Sequence, residues 1–409
     1  MSGPLHLFEA LGIEVEYAIV DADTLDVRPI GDRLMEAVAG DAVSELERGA
    51  IAWSNELALH VLELKTHGPA AELGPLPALF HEELRIAEEA LARHGARLMP
   101  GAMHPWMDPS VESRLWPHEY NDVYRAFDRI FGCSGHGWTN LQSVHVNLPF
   151  HGDEEFAPLH AAIRLILPLA PALAAASPVA DGRPSGALDT RLVAYMRNSR
   201  RVPSVAGLVV PEPMASRDEY EREILGRIYR DLEPHDPEGV LRHEWANARG
   251  AIARFERGSI EIRLLDSQES PSADIALAAA VGDVVRWVAE NVPPAVADGV
   301  PTELLAHVLE DTVRDAERVE VPAGIRRPLG VRASTTAGRL WGILLDRAAD
   351  RAADGRLAPS LERTLSRGPL ARRILTALGP DPTPETLRAV YARLCDCLRA
   401  DSPFEPGGA

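Results

Sequence analysis

The sequence predicts an α+β fold in which helices pack against an antiparallel β-sheet and a helical layer follows. In the first two-thirds of the 409 residues, short segments alternate apolar and polar side chains, as strands with one polar face do. Helical patterns separate these segments without a regular βαβ rhythm. From residue 295 onward the pattern is mostly helical and rich in Ala, Leu and Arg. We therefore predict a sheet-containing domain over residues 1–293 and a helical extension over residues 294–409 packed on it.

The individual elements follow from periodicity and from their end signals. Alternation predicts four strands, at residues 12–20, 59–65, 143–148 and 259–265. Apolar residues at helical spacing predict a helix from Leu76 to His94, with glycine next as the stop signal. A second helix is predicted from Ser270-Pro271 to about Asn291, because serine can cap a helix and proline is tolerated in its first turn. Residues 403–409 are expected to fray.

Charge and composition argue against several classes of partner. The 42 basic and 61 acidic residues give a net charge of −19, which disfavours nucleic acid or an anionic membrane surface as partner. The longest apolar run, Leu165 to Ala176, contains two prolines and is too short to span a bilayer. The three cysteines do not form a disulfide or zinc pattern, so we expect a cytoplasmic protein.

Each of the four predicted strands carries two polar groups on one face, because residues i and i+2 of a strand point the same way. The pairs are Glu14 and Glu16, Glu63 and Lys65, His145 and Asn147, and Glu261 and Arg263.

For any single strand, a face in contact with water explains the pattern well. A solvated face, however, would carry Thr, Ser, Lys, Arg and Gln, whereas this one carries four carboxylates, a histidine and Lys65, the only lysine of the chain. In one sheet these carboxylates would repel each other unless cations neutralised them. Oxygen ligands with one imidazole suit Mg²⁺ or Mn²⁺, and magnesium usually also binds substrate phosphates. The face therefore predicts a metal–nucleotide site in which an arginine neutralises a transferred phosphoryl group. Neither of the common glycine-rich phosphate loops is present.

At these positions the sequence resembles the glutamate–cysteine ligase type 2 family, the carboxylate–amine ligases of the glutamine-synthetase superfamily. The matching segments are collinear over about residues 10–290 and comprise residues 12–17, 55–56, 62–66, 104–105, 144–147, 189–197 and 258–266. The resemblance implies a sheet bent into a glutamine-synthetase-like funnel with helices outside. It also implies ATP and two or three Mg²⁺ ions, or Mn²⁺, within the funnel.

The resemblance also implies a role for each matching residue. The implied metal ligands are Glu14, Glu16, Glu56, Glu63, His145 and Glu261. Glu56 would need a bend near residues 59–60, since seven residues separate it from Glu63. His145, Asn147 and Arg263 would bind the nucleotide, and Arg263, Glu261 and Lys65 would act in catalysis. Arg191 and Arg197 would bind the substrate carboxylate. Asn147 and Lys65 depart from the residues common in relatives, which leaves the substrate open.

The implied activity is an ATP-dependent, ADP-forming ligase that joins a carboxylate, with glutamate as the expected substrate, to an amine through an acyl phosphate. Its partners would be small-molecule amino acids and amines, and the sequence leaves open whether the chain is a monomer or a homo-oligomer. One alternative is a phosphotransferase of the same fold that acts on a guanidino or amino group. Another is a relative that binds nucleotide without turnover. Trp116, Trp138 and Trp245 are candidates for stacking on adenine, although core packing is the simpler role for each.

Overall fold

The structure, a computed structural model, describes residues 3–41, 43–349 and 358–407. Its strands are β1 (Gly12–Asp21), β2 (Glu45–Arg48), β3 (Ile51–Asn55), β4 (Val61–Thr66), β5 (Ala96–Met99), β6 (Ser143–Pro149), β7 (Val179–Ala180), β8 (Arg183–Pro184), β9 (Ala251–Arg254) and β10 (Ser259–Asp266).

The helices up to the end of the predicted first domain are α1 (Gly31–Ala39), α2 (Leu76–Ala92), α3 (Pro109–Glu112), α4 (Asn121–Phe131), α5 (His136–Thr139), α6 (Gly152–Ile166), α7 (Pro171–Ala174), α8 (Thr190–Tyr195), α9 (Arg217–Tyr220), α10 (Gly226–Leu232) and α11 (Pro271–Asn291). The later helices are α12 (Pro294–Asp298), α13 (Thr302–Asp315), α14 (Ala323–Arg326), α15 (Ala337–Ala348), α16 (Ala358–Arg367), α17 (Leu370–Leu378) and α18 (Pro384–Ala400).

The main sheet has the strand order β2-β3-β4-β1-β6-β10-β9, and β5 pairs with the far end of β1. Every pairing in it is antiparallel. The four strands predicted from alternation are β4, β1, β6 and β10, which are consecutive neighbours. The predicted fold class is therefore confirmed. One boundary differs, because Leu59 and His60 form a turn and β4 begins only at Val61.

The two faces of the sheet have different neighbours. Ile13, Val15 and Tyr17 of β1 lie on the apolar face and are fully buried, as are the apolar residues of β4, β6 and β10. The long helix α11 packs against this face and also contacts α2 and α6, so that helices cover it. The Tyr17 hydroxyl donates a hydrogen bond to Asp274 Oδ2 of α11, 2.7 Å away. Apolar burial on one side thus directs the carboxylates of β1 to the other side.

The C-terminal helices cover the far end of the polar face. Beyond Glu16, the same face of β1 continues with Ala18 and Val20, which belong to a separate apolar cluster with α17 and α18. The polar region is therefore closed at this end by apolar packing. The described residues after 293 are mostly helical, as predicted, and residues 350–357 and 408–409 lie outside the described part. The division at residue 293 stays a prediction.

Two predicted details are wrong. Ser270 precedes α11 but its side chain does not cap the helix. Asp401, at the end of α18, instead accepts hydrogen bonds from the Ser272 amide and hydroxyl, at 2.9 and 2.6 Å. The described residues after 402 are also not frayed. Phe404 is fully buried, and its carbonyl oxygen accepts a hydrogen bond from Arg373.

Within the described residues, no helix has both the length and the apolar character that are needed to cross a bilayer.

The buried position of Phe404 predicts a large loss of stability on truncation. Phe404→Ala should lower the free energy of unfolding by about 3–5 kcal/mol, because it removes an aromatic ring from a packed cluster. Urea denaturation measures this change. The matched control is Leu208→Ala, since Leu208 is 49% exposed and should shift stability by no more than about 0.5 kcal/mol. Equal stabilities of the two variants would contradict the packing of the C-terminal segment.

Candidate active site

A cavity of about 680 Å³ lies over the polar face of the sheet. The sheet contributes Glu16, Glu63, Lys65, His145 and Arg263 to its wall. The opposite wall comes mainly from α4, α5, α8 and the segment around Trp245.

Antiparallel register brings the predicted polar residues together. Glu14 is paired with Lys65 on one side and with His145 on the other, and Glu16 is paired with Glu63. Asn147 is paired with Glu261. Because directly opposed residues have Cβ atoms only about 5 Å apart, four strands form a single cluster of charged groups.

Hydrogen bonds fix the first two carboxylates of this cluster. Glu14 accepts from His145 Nδ1 at 3.0 Å and from Asn147 Nδ2 at 3.1 Å. Glu16 accepts from the backbone amide of Ser143 at 2.8 Å. Ser143 Oγ lies 2.9 Å from His145 Nε2, so that both ring nitrogens of this histidine have protein partners.

The protein neutralises the cluster unevenly. Burial opposes ionisation of Glu14, but the hydrogen bond and charge of His145 outweigh it and lower the pKa of this carboxyl to about 2. Burial, with the negative charge of Glu56, raises the pKa of Glu16 to about 7. Burial and the charges of Glu14 and Glu56 raise the pKa of Glu63 well above its ordinary value. Two carboxylates thus lack sufficient positive charge from the protein.

Two sets of side chains could hold a cation. Glu14, Glu63 and His145 each offer a ligand atom, and these atoms lie within 4.8 Å of one another. Glu16, Glu56 and Glu63 form a second set by the same measure. Glu63 belongs to both sets. Carboxylate oxygens with one imidazole, in a cluster short of positive charge, fit Mg²⁺ or Mn²⁺.

Glu56 reaches the cluster by a different route from the one predicted. The sequence suggested that it would lie on the strand of Glu63 and need a bend to share its face. Instead, Glu56 directly follows the neighbouring strand β3, and the chain turns before β4 begins. The turn at residues 59–60 therefore separates two strands rather than bending one.

Glu261 and Arg263 form an ion pair at the edge of the cavity. Arg263 Nε lies 2.9 Å from Glu261 Oε1, and Arg254 Nη1 of β9 lies 3.0 Å from Glu261 Oε2. Glu261 is also 3.8 Å from His145 Nδ1 but belongs to neither set of candidate ligands. Its role as a metal ligand stays a prediction.

A β-bulge in β10 sets the direction of the residues that follow Glu261. Ile262 is paired with Val146, but Leu265 rather than Leu264 is paired with Val144. The extra residue reverses the alternation, so that Asp266 is paired with Ser143 and lies on the polar face.

The two arginines predicted to bind a carboxylate are separated in the structure. Arg191 of α8 is buried and lines the cavity, where its Nε lies 2.5 Å from Asp266 Oδ1. Arg197 is exposed and lines a different surface depression with His136 and Arg183. It follows the end of α8, and the helical turn directs it away from Arg191. Arg197 therefore lies outside the proposed site.

Lys65 lies at the rim of the carboxylate cluster. Its Nζ is 3.4 Å from Glu45 Oε1 and 3.9 Å from Glu63 Oε1, and it lines the cavity. The lysine therefore supplies part of the positive charge that the cluster requires. Its catalytic role stays a prediction.

Aromatic side chains form the wall opposite the sheet. Trp138 and Trp245 line the cavity with Phe127 and Tyr124, whereas Trp116 is buried in the core. The ring centres of Phe127 and Trp138 are 5.2 Å apart, and those of Phe127 and Trp245 are 5.9 Å apart. Two of the three candidate tryptophans can therefore contact a bound ligand.

Sequence reasoning missed several residues of the site. Ser54 Oγ donates a hydrogen bond to Glu63, its cross-strand neighbour, and Ser143 holds Glu16. Strand alternation places Ser143 on the face of His145, so the pattern contained a signal for it. No such pattern indicates that Arg254 and Arg257 belong to the site, because the β9–β10 hairpin brings them to the cluster.

Comparison with known proteins agrees with the segments that carry the resemblance. The sequence model of glutamate–cysteine ligase family 2 matches residues 10–391. An uncharacterized protein of Archaeoglobus fulgidus is 37% identical over 284 residues, which are 69% of this chain and 76% of that protein. A Rubrobacter xylanophilus protein provisionally named glutamate–cysteine ligase 2-3 is 30% identical over 275 residues, 66% of this chain and 67% of that protein.

Two solved structures share the fold. The glutamate–cysteine ligase of Francisella tularensis, in complex with AMP, aligns with a TM-score of 0.63 and 12% identity over 99% of this chain and 91% of that one. The bifunctional glutathione synthetase of Pasteurella multocida aligns with a TM-score of 0.50 and 14% identity over 96% of this chain. This chain covers only 53% of that longer protein.

The geometry predicts that Glu63 is essential for cation binding, because it belongs to both candidate sets. Glu63→Gln should weaken Mn²⁺ binding by about 10–100-fold or more, since loss of even an indirect partner of a metal site has effects of that size. Titration calorimetry with Mn²⁺ alone measures the affinity. Glu36→Gln, at an exposed position of α1 outside the cavity, is the control and should bind as wild type. Equal affinity in both variants would exclude Glu63 as a ligand.

Proposed function

This chain belongs to glutamate–cysteine ligase family 2, and on that premise we propose that it is an ATP-dependent carboxylate–amine ligase. The observation that carries the proposal is the cluster of buried Glu16 and Glu63 with half-buried Glu14 and Glu56 beside His145, whose mutual repulsion added cations would relieve. Arginines border the same cavity, as transfer of a phosphoryl group requires.

In this proposal, Glu14, Glu63 and His145 hold one cation, and Glu16, Glu56 and Glu63 hold a second. His145 would release one of its present hydrogen bonds to do so. Bound Mg²⁺ or Mn²⁺ would supply positive charge to the phosphates of ATP. The AMP bound to the Francisella tularensis enzyme, which has the same fold, supports an adenine nucleotide as co-substrate. The aromatic wall around Trp138 offers flat surfaces to an adenine ring.

The proposed reaction has two steps. First, a carboxylate oxygen attacks the γ-phosphorus of ATP, and the bond between this phosphorus and the bridging oxygen of the β-phosphate breaks. ADP departs, and the carboxylate becomes an acyl phosphate. Second, the amine nitrogen attacks the acyl carbon, inorganic phosphate leaves with its oxygen, and the nitrogen loses a proton. The activation is needed because an unmodified carboxylate has only a poor leaving group. The net products are an amide, ADP, phosphate and a proton.

Arginines around the cluster would stabilise the charge that develops during phosphoryl transfer. Arg263 is held against Glu261 and lines the cavity, so its guanidinium is oriented before substrate binds. Arg257, in the turn between β9 and β10, is exposed and also lines the cavity. Its position suits a contact with the phosphates as they enter. Asn147 would act through Glu14, whose carboxylate it holds.

The amino acid carboxylate would be bound by Arg191, and Lys65 would adjust the charge at the rim of the cluster. The cavity volume fits small molecules, so we propose an amino acid, such as glutamate, and an amine as substrates. We also propose a cytoplasmic location. The free state of Cys133, Cys395 and Cys397 supports a reducing compartment.

The proposal is tested by incubating the protein with MgATP and a panel of amino acids and amines. We expect phosphate release that depends on both substrates, and mass spectrometry should detect an amide. Glu261→Gln should abolish turnover without loss of fold, because Arg254 and Arg263 would lose their common carboxylate. A stable phosphorylated product without an amide would indicate a phosphotransferase instead. Absence of ATP turnover with every pair would contradict the proposal.

Arg263 offers a test of the phosphoryl-transfer step alone. Arg263→Lys should slow this step by about 100-fold or more, since an ammonium group does not reproduce the two-point contact of a guanidinium. Single-turnover kinetics measure the step, and the KM for ATP should change far less. The control is Arg347→Lys, because Arg347 binds the Leu329 carbonyl oxygen away from the cavity. A normal single-turnover rate in Arg263→Lys would exclude the assigned role.

A further inference from the structure

The buried carboxylate of Asp266 has contacts that converge on one arginine. Asp266 is fully buried, and its Oδ1 lies 2.5 Å from Nε of Arg191. Its Oδ2 accepts hydrogen bonds from the Ala176 amide at 2.7 Å and the Ser177 hydroxyl at 2.8 Å. Both oxygens are therefore fixed by the protein, and the carboxylate presents a rigid acceptor to Arg191.

Further contacts restrict Arg191. Its backbone amide donates to Ser177 Oγ, the same hydroxyl that binds Asp266, at 3.1 Å. Its Nη1 donates to the carbonyl oxygen of Arg263, at the bulge of β10, at 3.3 Å. Asp189 caps α8 by accepting from the Leu192 amide at 2.8 Å, which fixes the start of the helix that carries Arg191.

One nitrogen of Arg191 has no such partner. Nη2 is buried and makes no hydrogen bond to any of the residues that the structure describes. Arg191 nevertheless lines the cavity. A buried guanidinium nitrogen without a partner is costly, and a ligand carboxylate in the cavity would satisfy it.

We propose that Asp266 is a positioning residue, which holds Arg191 in the orientation in which Nη2 meets the carboxylate of the amino acid substrate. This inference rests on the proposed function. Asp266 does not act on the substrate itself. Without it, the long side chain of Arg191 would have to be ordered at the time of binding, which reduces affinity.

The negative charge of Asp266 has a second consequence. Arg191 lies close enough to Glu16 for their charges to interact. An unpaired arginine at this position would repel a cation held by Glu16. By pairing with Arg191, Asp266 allows an arginine to recognise a carboxylate next to a cation site.

The test compares wild type, Asp266→Asn, Arg191→Gln and the double variant in steady-state kinetics. Asp266→Asn keeps an oxygen acceptor but loses the charge. It should raise the KM for the amino acid about 10–100-fold, the range expected for a hydrogen bond to a charged group, with much smaller changes in kcat and in the KM for ATP. The double variant should be no worse than Arg191→Gln, because Asp266 acts through Arg191.

Asp236→Asn is the matched control. Asp236 is also a fully buried aspartate that accepts from a backbone amide, that of Leu241, but it does not line the cavity. It should leave both KM values unchanged. An unchanged KM for the amino acid in Asp266→Asn, or additive effects in the double variant, would overturn the inference.

Failure of the proposed function would instead appear in wild type, as absence of amide formation. In that case the Nε proton of Arg191, followed by selective ¹⁵N-arginine NMR, should still exchange measurably faster in Asp266→Asn, because a neutral acceptor replaces a charged one. An unchanged exchange rate would overturn the inference.

Discussion

The organisation of this protein depends on repulsion between carboxylates that the sheet holds next to one another. Antiparallel register places Glu14, Glu16 and Glu63 on adjacent strands, where they cannot move apart. His145 neutralises one of them, whereas Glu16 and Glu63 are left with raised pKa values. The surrounding fold concentrates negative charge and supplies only part of the balancing positive charge, which is why the proposed site calls for cations and for ligands that bring them.

The remaining elements keep this cluster rigid and partly dry. Helices cover the apolar face, and α17 and α18 pack on Ala18 and Val20 directly beyond Glu16. The two carboxylates of β1 therefore have apolar packing behind them, on the other face of the strand. They also have apolar packing beside them, at the far end of the strand. Preorganised charges of this kind are effective because they need no rearrangement during the reaction.

Much of the sheet could be predicted, because a two-residue period reports directly which face a side chain occupies. The pairs on β1, β4, β6 and β10 and the fold class followed from this period. The bulge in β10, the separate strand β3 that precedes Glu56 and the packing of Phe404 could not be predicted, since each depends on contacts between distant segments. For the same reason the sequence does not separate Arg197 from Arg191, although the chain beyond α8 places Arg197 in a different depression. Alternation indicates a face, but only the assembled register indicates which neighbours share it.

The bulge in β10 makes strand pairing matter as much as residue identity. Asp266 faces Arg191 only because Ile262 and Leu265, three residues apart, pair with Val146 and Val144, two residues apart. If regular pairing continued through Leu264 instead, the two faces would exchange for the rest of the strand, and Leu265 would turn toward the polar face and Asp266 toward the helices. The same side chains would thus lie on the opposite face in a ladder without the bulge, and it is the pairing that brings Asp266 to Arg191.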